Sequence, residues 1–241
     1  MTQPLPRVLF LAMSRNQEKH FRALAEQMPV DGRVINAKHP GRGPWLTALG
    51  WLWRRRDQLP GWLRFRVSKG QLNDGAHGRW FRFGLGLRIA HLMTGLMRQV
   101  RDWQPQVLFV LNGAHYKQQA AISWAREAGL KVTYLELGFL PNTMALDGAG
   151  VNYANSIPRQ AAFYRNYSPR GEVADATLVR RPPRKPVGEP IELPARYLFV
   201  PFQVYDDTQI LIHSPWVPSM EALYQALVET VDALPDDCVY V

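Results

Sequence analysis

The feature that most constrains the fold is a β-α-β pattern at the start of the chain. Residues 7–13, RVLFLAM, form an unbroken apolar run, which is typical of a parallel strand covered on both faces. Ser14 is a good N-cap for the amphipathic helix predicted after it, and RVINA (33–37) reads as a second strand. A β-α-β unit implies a right-handed crossover and a parallel sheet, so we expect an α/β fold.

The same alternation predicts the domain organisation. Strands are predicted at 106–112 and 130–136, with helices before and between them. We expect a first α/β lobe at 1–168, a Pro-rich linker at 169–195 and the start of a second lobe at 196–241. The second lobe is expected to be truncated, because a β-α-β unit that stops on its last strand cannot complete a three-layer domain.

Composition narrows the class of partner and the compartment. Hydrophobic residues make up 46% of the chain, which favours a globular protein, and the net charge of +9 favours an anionic partner. The single cysteine, Cys238, excludes an internal disulfide framework and Cys-rich zinc sites, and it fits a reducing compartment. The apolar run near the N-terminus is too short for a signal peptide or a membrane span. We therefore expect a cytoplasmic protein, soluble or attached to a membrane from outside.

Much of the positive charge falls in residues 39–83, which interrupt the alternation. This segment holds five tryptophans (45, 51, 53, 62 and 80), eight arginines and only two acids, Asp57 and Asp74. The block WLTALGWLW followed by RRR favours an interfacial membrane segment that contacts an anionic surface. Binding of single-stranded nucleic acid by stacking and charge, or an ordinary helical segment with a solvated basic face, are the alternatives. No RNA-binding signature accompanies the segment, so nucleic acid is not the expected partner.

Polar residues at the ends of the predicted strands indicate where a site would lie. Ligands of open α/β sheets bind beyond the carboxyl ends of the strands. Four such ends carry polar residues: 14–16, 112–115, the loop that starts at Glu136, and 203–207. If these strands are parallel, their polar ends share one edge and form a binding site there.

Three carboxylates are the catalytic candidates. Glu136 opens a long loop rich in glycine and asparagine, where it is either a general acid/base or a cap for loop N–H groups. Asp206 and Asp207 follow another predicted strand, where they are either reactive groups or caps of the next turn. The six histidines form no metal-binding pattern, and no P-loop is present, so no metal and no cofactor are expected. His115 is either a helix N-cap that faces a phosphate or a surface group, and His213 is a candidate for the same cleft.

Two sequence blocks resemble a known family. The first consists of ELGFLPN (136–142), GVN (150–152), SIPR (156–159) and FY (163–164), and the second of VPFQVYDDTQI (200–210) followed by SP (214–215). Their order and separation resemble those of the bacterial capsule polysaccharide biosynthesis and export proteins, the capsular β-Kdo transferases. The resemblance implies two Rossmann-like lobes of the GT-B glycosyltransferase type, with the second lobe incomplete in this chain. It also implies transfer of Kdo from CMP-Kdo, with retention, to a lipid or glycolipid acceptor at the inner face of the inner membrane.

The resemblance also suggests roles for individual residues. Retention at a sugar centre needs a nucleophile and an acid/base, with carboxyl groups about 5 Å apart by analogy with glycosidases. Asp206 or Asp207 is the expected nucleophile and Glu136 the acid/base. Arg159 and His115 are expected to hold the donor's anionic groups, and Asn152 and Asn155 its hydroxyls. The full set of expected substrate-binding residues is Ser14, Asn112, His115, Gly138, Asn142, Asn152, Asn155, Ser156, Arg159, Gln203, His213 and Ser214.

Two departures from the family leave an alternative open. The family has more glycine after its first strand than residues 14–16 provide, and it continues into a stretch with a His-Pro motif that this sequence lacks. The alternative is a non-catalytic subunit of a capsule polysaccharide assembly or export complex. An α/β protein that binds nucleic acid is the third reading.

Overall fold

The chain folds into two compact units. A computed structural model describes residues 4–41, 44–73, 78–138, 143–168 and 192–241. The units are Met1–Arg170 and Gly171–Val241. Most of the predicted Pro-rich linker, residues 169–191, lies outside the described residues, so the predicted linker stays a prediction.

The first unit is built on a five-stranded sheet of order β2-β1-β3-β4-β5. The strands are β1 (Arg7–Ala12), β2 (Asp31–Asn36), β3 (Val107–Leu111), β4 (Lys131–Leu137) and β5 (Met144–Asp147). Strands β1 to β4 are parallel, as the apolar runs predict, and β5 is antiparallel to β4. The α/β fold class with a mainly parallel sheet is confirmed.

Helices cover both faces of this sheet. They are α1 (Arg15–Gln27), α2 (Trp45–Arg54), α3 (Leu59–Asn73), α4 (Arg79–Val100) and α5 (Tyr116–Glu127). Alternate residues of β1 point to opposite faces: Phe10 packs with Phe21 of α1, whereas Leu9 and Leu11 join the larger core formed with α2 to α5. The connecting helices therefore change face between β1 and β3, which makes this pair the topological switch point of the sheet.

The basic tryptophan-rich segment contributes to the core. Trp51 of α2 and Trp62 of α3 are buried and stack with ring centroids 5.5 Å apart. The helix predicted after residue 83 begins earlier, at Arg79, so α4 runs through the end of this segment. Residues 39–83 are thus more than a surface excursion, because two of their tryptophans hold the helical layer together.

Helix α4 is longer than the sheet is deep. Just after its C-terminal end, the indole N–H of Trp103 donates to Asp31 Oδ2 (2.6 Å) at the start of β2. The helix has 22 residues, about 33 Å, whereas the six residues of β1 span about 20 Å. Helix α4 therefore ends near the amino edge of the sheet, where β2 begins.

After β5 the first unit continues through a 3₁₀ turn, Asn152–Ala154, and a short helix α6 (Ala161–Arg165). The second unit contains β6 (Arg196–Leu198), α7 (Thr208–Leu211), α8 (Met220–Thr230), a 3₁₀ turn Val231–Ala233 and β7 (Cys238–Tyr240). Strands β6 and β7 are parallel.

Strand β6 is shorter than the predicted strand at 196–203. The backbone N–H of Val200 still donates to Val241 (2.8 Å). The next residue, Pro201, has no N–H to continue the ladder. The apolar run at 196–203 is therefore longer than the strand that it forms, Arg196–Leu198.

Candidate functional site

Three of the four predicted polar strand ends meet at the carboxyl edge of the first sheet. Ser14 follows β1, Asn112 follows β3, and Glu136 is the second-last residue of β4. Because β1, β3 and β4 are adjacent and parallel, these residues share one edge, as the sequence predicts. The fourth end, 203–207, belongs to the second unit, so its approach to the others stays a prediction.

Glu136 is held by its neighbours at this edge. Its Oε2 accepts a hydrogen bond from Asn112 Nδ2 (3.3 Å), and its Oε1 accepts one from the backbone N–H of Leu137 (3.1 Å). The side chain is half-buried. These contacts fix a carboxylate at the carboxyl end of a parallel strand, next to the position at which such folds bind ligands.

The backbone after β3 has a conformation that brings Asn112 toward Glu136. Asn112 has φ of 62° and Gly113 has φ of 82°, both in the left-handed region. A Cβ on Gly113 would lie 2.6 Å from the ring of Tyr134. Asparagine tolerates this region better than most residues, and glycine alone fits the second position.

His115 caps helix α5. The ring Nδ1 of His115 accepts a hydrogen bond from the backbone N–H of Lys117 (3.2 Å). The backbone N–H of His115 donates to Gln118 Oε1 (3.4 Å). The ring stacks on Tyr116 with centroids 4.3 Å apart. Desolvation by this packing, together with the positive charges of Lys117 and Arg66, lowers the pKa of His115 to about 4.

The capping role changes what His115 can offer a ligand. The ring is neutral at neutral pH, and because Nδ1 accepts a hydrogen bond, the proton lies on Nε2. His115 is thus a neutral hydrogen-bond donor at this edge. Its expected role as a substrate-binding residue stays a prediction. A neutral His115 would bind an anionic group by donating a hydrogen bond from Nε2, not through a positive charge.

Lys117 is a residue at this edge that the sequence analysis missed. Its Nζ donates to the backbone carbonyl of Ala37 (2.9 Å), which follows β2. Burial, followed by the positive charges of Arg88 and Lys38, lowers the pKa of Lys117. The signal available in the sequence was a lysine in the first turn of the helix that follows a strand end.

Ser14 has a local structural partner. Its Oγ accepts a hydrogen bond from the backbone N–H of Gln17 (3.2 Å), which makes it the N-cap of α1 as expected from its position. Gln17 Oε1 accepts in return from the backbone N–H of Met13 (2.8 Å). The polar residues after β1 therefore begin a helix at the site.

The long loop predicted after Glu136 is partly a hairpin, because β5 lies within it. Gly138 packs against Thr143 so closely that a Cβ would meet Thr143 Oγ1. Its backbone N–H donates to the Thr143 carbonyl (2.9 Å). The predicted substrate-binding residue Asn142 lies outside the described residues.

Asp147 organises the rest of that loop. Its carboxylate accepts hydrogen bonds from the backbone N–H groups of Ala149 (2.7 Å), Gly150 (3.1 Å) and Ser156 (2.9 Å), and from Ser156 Oγ (2.6 Å). These bonds, with the Ser156 hydroxyl first, lower the pKa of Asp147 to about 2. The second acid of the loop is thus a cap for loop N–H groups, and Ser156 serves the loop's own structure.

The other predicted binding residues of the loop are exposed or half-exposed. The Arg159 guanidinium donates to the backbone carbonyl of Tyr153. It also lies over the aromatic ring of Tyr153, 4.5 Å from the ring centroid. Asn155 Oδ1 accepts from the backbone N–H of Ile157 (3.2 Å), and Asn152 has φ of 52°. Whether these side chains bind a substrate stays a prediction.

The two candidate catalytic acids of the second unit, Asp206 and Asp207, directly precede a short helix, α7. Asp207 is the N-cap of α7, and its Oδ1 accepts from the backbone N–H of Gln209 (2.7 Å). Asp206 precedes it and is half-buried. Since Glu136 and the aspartates lie in different units, their predicted proximity stays a prediction.

The remaining predicted residues of the second unit lie around the same helix. Gln203 Oε1 accepts a hydrogen bond from the backbone N–H of Val204 (2.9 Å). The backbone N–H of Gln203 donates to the sulfur of Met220 (3.2 Å). His213 and Ser214 follow α7 and are half-buried. Their expected role in substrate binding stays a prediction.

Two exposed tryptophans of the helical layer have arginines next to them in the sequence. Trp53 is 67% exposed and Trp80 is 84% exposed. A Cβ on Gly86 would lie 3.2 Å from Leu52, so the end of α2 packs beside the first third of α4. Arg55, directly after α2, pairs with Glu127 at the end of α5 (2.7 Å), so the end of α2 lies toward the amino edge of the sheet. The arginines next to the two exposed tryptophans in the sequence are Arg54, Arg56, Arg79 and Arg82.

Comparisons with known proteins give one partial relative. Protein FixF from Sinorhizobium fredii (strain NBRC 101917 / NGR234) is 35% identical over 136 residues. The match covers 56% of this chain and 33% of that protein, so the chain spans about a third of the length of its relative. No family model and no solved structure matches the chain.

Two absences concern the described part of the chain. Residues 4–41, 44–73, 78–138, 143–168 and 192–241 contain no cluster of three or more metal-ligating His, Cys, Asp or Glu side chains. None of the helices described there is long and apolar enough to cross a bilayer.

Proposed function

We propose that the protein is a glycosyltransferase of capsular polysaccharide biosynthesis that transfers Kdo from CMP-Kdo, with retention, to a lipid or glycolipid acceptor. The observation that carries the proposal is the carboxylate of Glu136 at the carboxyl end of β4, fixed by Asn112 from the neighbouring strand end. Glu136 also opens the first of the two sequence blocks that resemble the capsular β-Kdo transferases.

The proposed chemistry divides between two carboxyl groups. Glu136 serves as acid/base, and Asp206 or Asp207 as nucleophile, which would complete a retaining pair across two Rossmann-like lobes of the GT-B type. The α7 N-cap position of Asp207 holds one of its oxygens in place. The pair requires the second unit to bring its aspartates to within about 5 Å of Glu136.

The proposed place of action is an anionic membrane surface at the inner face of the inner membrane. Exposed Trp53 and Trp80 with four neighbouring arginines supply the interfacial aromatic rings and positive charges that such a surface attracts.

The test is transfer by the full chain from CMP-Kdo to a lysophosphatidylglycerol acceptor, followed by product mass and CMP release. Glu136→Gln should lower the rate by about 10²–10⁴-fold, as loss of a general acid/base does. Asp206→Asn and Asp207→Asn identify the nucleophile. The control is Glu26→Gln, an exposed carboxylate of α1. Absence of both transfer and CMP release in the wild type, or full activity of Glu136→Gln, would contradict the proposal.

The same variants separate the enzyme from the non-catalytic alternative. If a cell keeps its capsule with Glu136→Gln and Asp207→Asn but loses it on deletion of the gene, the protein serves as a subunit of a capsule assembly complex. If the capsule disappears with the point variants while the protein level is unchanged, the catalytic proposal stands.

A further inference from the structure

The end of β1 is crossed by the side chain of Lys117. The residue lies in the first turn of α5, which follows β3, yet its Nζ donates to the carbonyl of Ala37, which follows β2. Since β1 lies between β2 and β3, the side chain spans the carboxyl end of β1. The side chain therefore crosses the switch point of the sheet, where open α/β folds bind their ligands, and brings the ammonium group to the ends of β1 and β2.

Two further cations lie close to Lys117. Lys38 directly follows Ala37, and Arg88 belongs to α4. Both are exposed, and their positive charges act on the Lys117 amine, whose pKa is lowered mainly by burial and then by these two groups. Three positive charges are thus gathered at one crevice.

No described carboxylate neutralises these cations. Within the described ranges, Lys38, Arg88 and Lys117 make no ion pair, whereas Arg22, Arg55 and Arg196 each do. Glu18, which contacts Asn36 at the end of β2, is occupied: its oxygens accept hydrogen bonds from Arg22 (2.7 Å) and Asn36 (2.9 Å). Like charges brought together without a counter-charge repel one another, and an anion bound between them relieves that repulsion.

The neutral donor needed to orient an anion is also present. His115 precedes Lys117 by two residues, and its Nε2 carries the ring proton because Nδ1 accepts from the helix backbone. A ring N–H and an ammonium group next to a helix N-terminus are groups that bind phosphate oxygens.

We propose that the crevice at the ends of β1, β2 and β3 binds a phosphoryl or phosphodiester group of the substrate, held by Lys117, Lys38 and Arg88 with His115 as neutral donor. The proposal rests on the proposed function for the identity of the substrate, and it assigns three cations, Lys38, Arg88 and Lys117, that the resemblance does not. Two sources share this chemistry: the phosphodiester of the sugar nucleotide and the phosphate of a phospholipid acceptor.

The binding test uses the full chain and three soluble probes in isothermal titration calorimetry at low salt: CMP, glycerophosphoglycerol and inorganic phosphate. Lys117→Gln should weaken binding by roughly ten- to a hundredfold, as loss of a hydrogen bond to a charged group does. Lys38→Gln, on an exposed side chain, should weaken it by roughly three- to tenfold. The matched control is Lys131→Gln, an exposed lysine at the opposite edge of the sheet, where β4 begins.

Each result decides a point. Preference for CMP assigns the site to the donor, preference for glycerophosphoglycerol assigns it to the acceptor, and equal binding of all three probes assigns it to the phosphate group alone. Equal affinities in Lys117→Gln, Lys38→Gln and Lys131→Gln, or no binding by the wild type, would overturn the proposal. Since Lys38 is exposed, its variant keeps the test decisive if Lys117→Gln fails to fold, which circular dichroism would reveal.

The site and the proposed function fail separately. Probe binding that is lost in Lys117→Gln, in a protein that transfers no Kdo, keeps the phosphate site and rejects the transferase. Kdo transfer with an unchanged KM in both lysine variants keeps the transferase and rejects the phosphate site.

Discussion

At the scale of single residues, the site depends on a backbone turn that few sequences allow. Gly113 and Gly129 both have positive φ, 82° and 74°. A Cβ on Gly113 would strike the Tyr134 ring at 2.6 Å, whereas a Cβ on Gly129 would meet nothing within 4 Å. The two glycines therefore separate the cost of backbone strain from the cost of steric overlap.

Gly129→Ala should lower the free energy of unfolding by about 1–2 kcal/mol, the cost of placing a Cβ in the left-handed region. Gly113→Ala should cost a further ~1–3 kcal/mol, because the methyl group must displace a packed ring. Urea unfolding followed by circular dichroism measures both variants. Equal losses of stability would show that the Tyr134 ring moves aside freely.

Asp147 gives a second residue-scale prediction. Its pKa is lowered from 3.8 to about 2 by hydrogen bonds, so its carboxylate stabilises the loop fully above about pH 4 and loses that effect as the pH falls through about 2. Ser156→Ala should raise the pKa toward its ordinary value, because the Ser156 hydroxyl is the largest cause of the shift. Carboxyl ¹³C NMR titration measures the midpoint, and an unchanged midpoint in the variant would refute this assignment.

The residues at the site differ in how readily a sequence reveals them. Ser14, Asn112 and Glu136 were predictable, because each follows an apolar strand and parallel strands bring their ends to one edge. Lys117 was not, since its meaning comes from a contact with a carbonyl 80 residues away. Capping by His115 and by Asp207 was one of the alternatives that the sequence left open, and the backbone geometry shows that both residues are caps. The capping role of Asp147 was not predicted, because it depends on the path of the loop.

At the scale of elements, the same sequence segment serves two purposes. Trp51 and Trp62 are buried against the sheet's helical layer, whereas Trp53 and Trp80 face solvent. Alternating blocks of tryptophan and arginine predicted a surface segment, but helical periodicity places Trp51 and Trp53 on different faces of α2. Strand β5 escaped prediction because its four residues lie among loop-forming glycines and asparagines.

Trp53→Ala and Trp80→Ala should each weaken partitioning to phosphatidylglycerol vesicles by roughly tenfold, the loss expected for one buried aromatic side chain. Their free energies of unfolding should change by less than about 0.5 kcal/mol, because both side chains are exposed. Sedimentation with vesicles and urea unfolding measure the two quantities.

Phosphatidylcholine vesicles are the control for the electrostatic part of this attraction. Binding to them should be weaker, and binding to anionic vesicles should fall as salt rises. If both tryptophan variants bind phosphatidylglycerol vesicles like the wild type, the exposed aromatic residues do not form the membrane-binding surface.

At the scale of the whole molecule, the two units differ in how much core they possess. Among the described residues, Val217 is the single buried apolar side chain of the second unit, whereas both core clusters lie in the first. A two-stranded sheet with one longer helix falls below the size at which a domain folds reliably alone.

Residues 1–170 expressed alone should therefore unfold in one cooperative transition, at a temperature close to that of the main transition of the full chain. Residues 171–241 alone should show no cooperative transition. Thermal melts followed by circular dichroism at 222 nm test both pieces. A sharp melt of the second piece would mean that its apolar surface is better packed than its exposed side chains indicate.

The stacked indoles of Trp51 and Trp62 also give the protein a built-in optical reporter. Rings 5.5 Å apart couple their electronic transitions, and the coupling disappears once α2 and α3 separate. Their near-ultraviolet dichroism would follow integrity of the helical layer, while emission from Trp53 and Trp80 would shift to the blue upon contact with lipid. One unlabelled sample thus yields two independent spectroscopic channels, one for folding and one for adsorption.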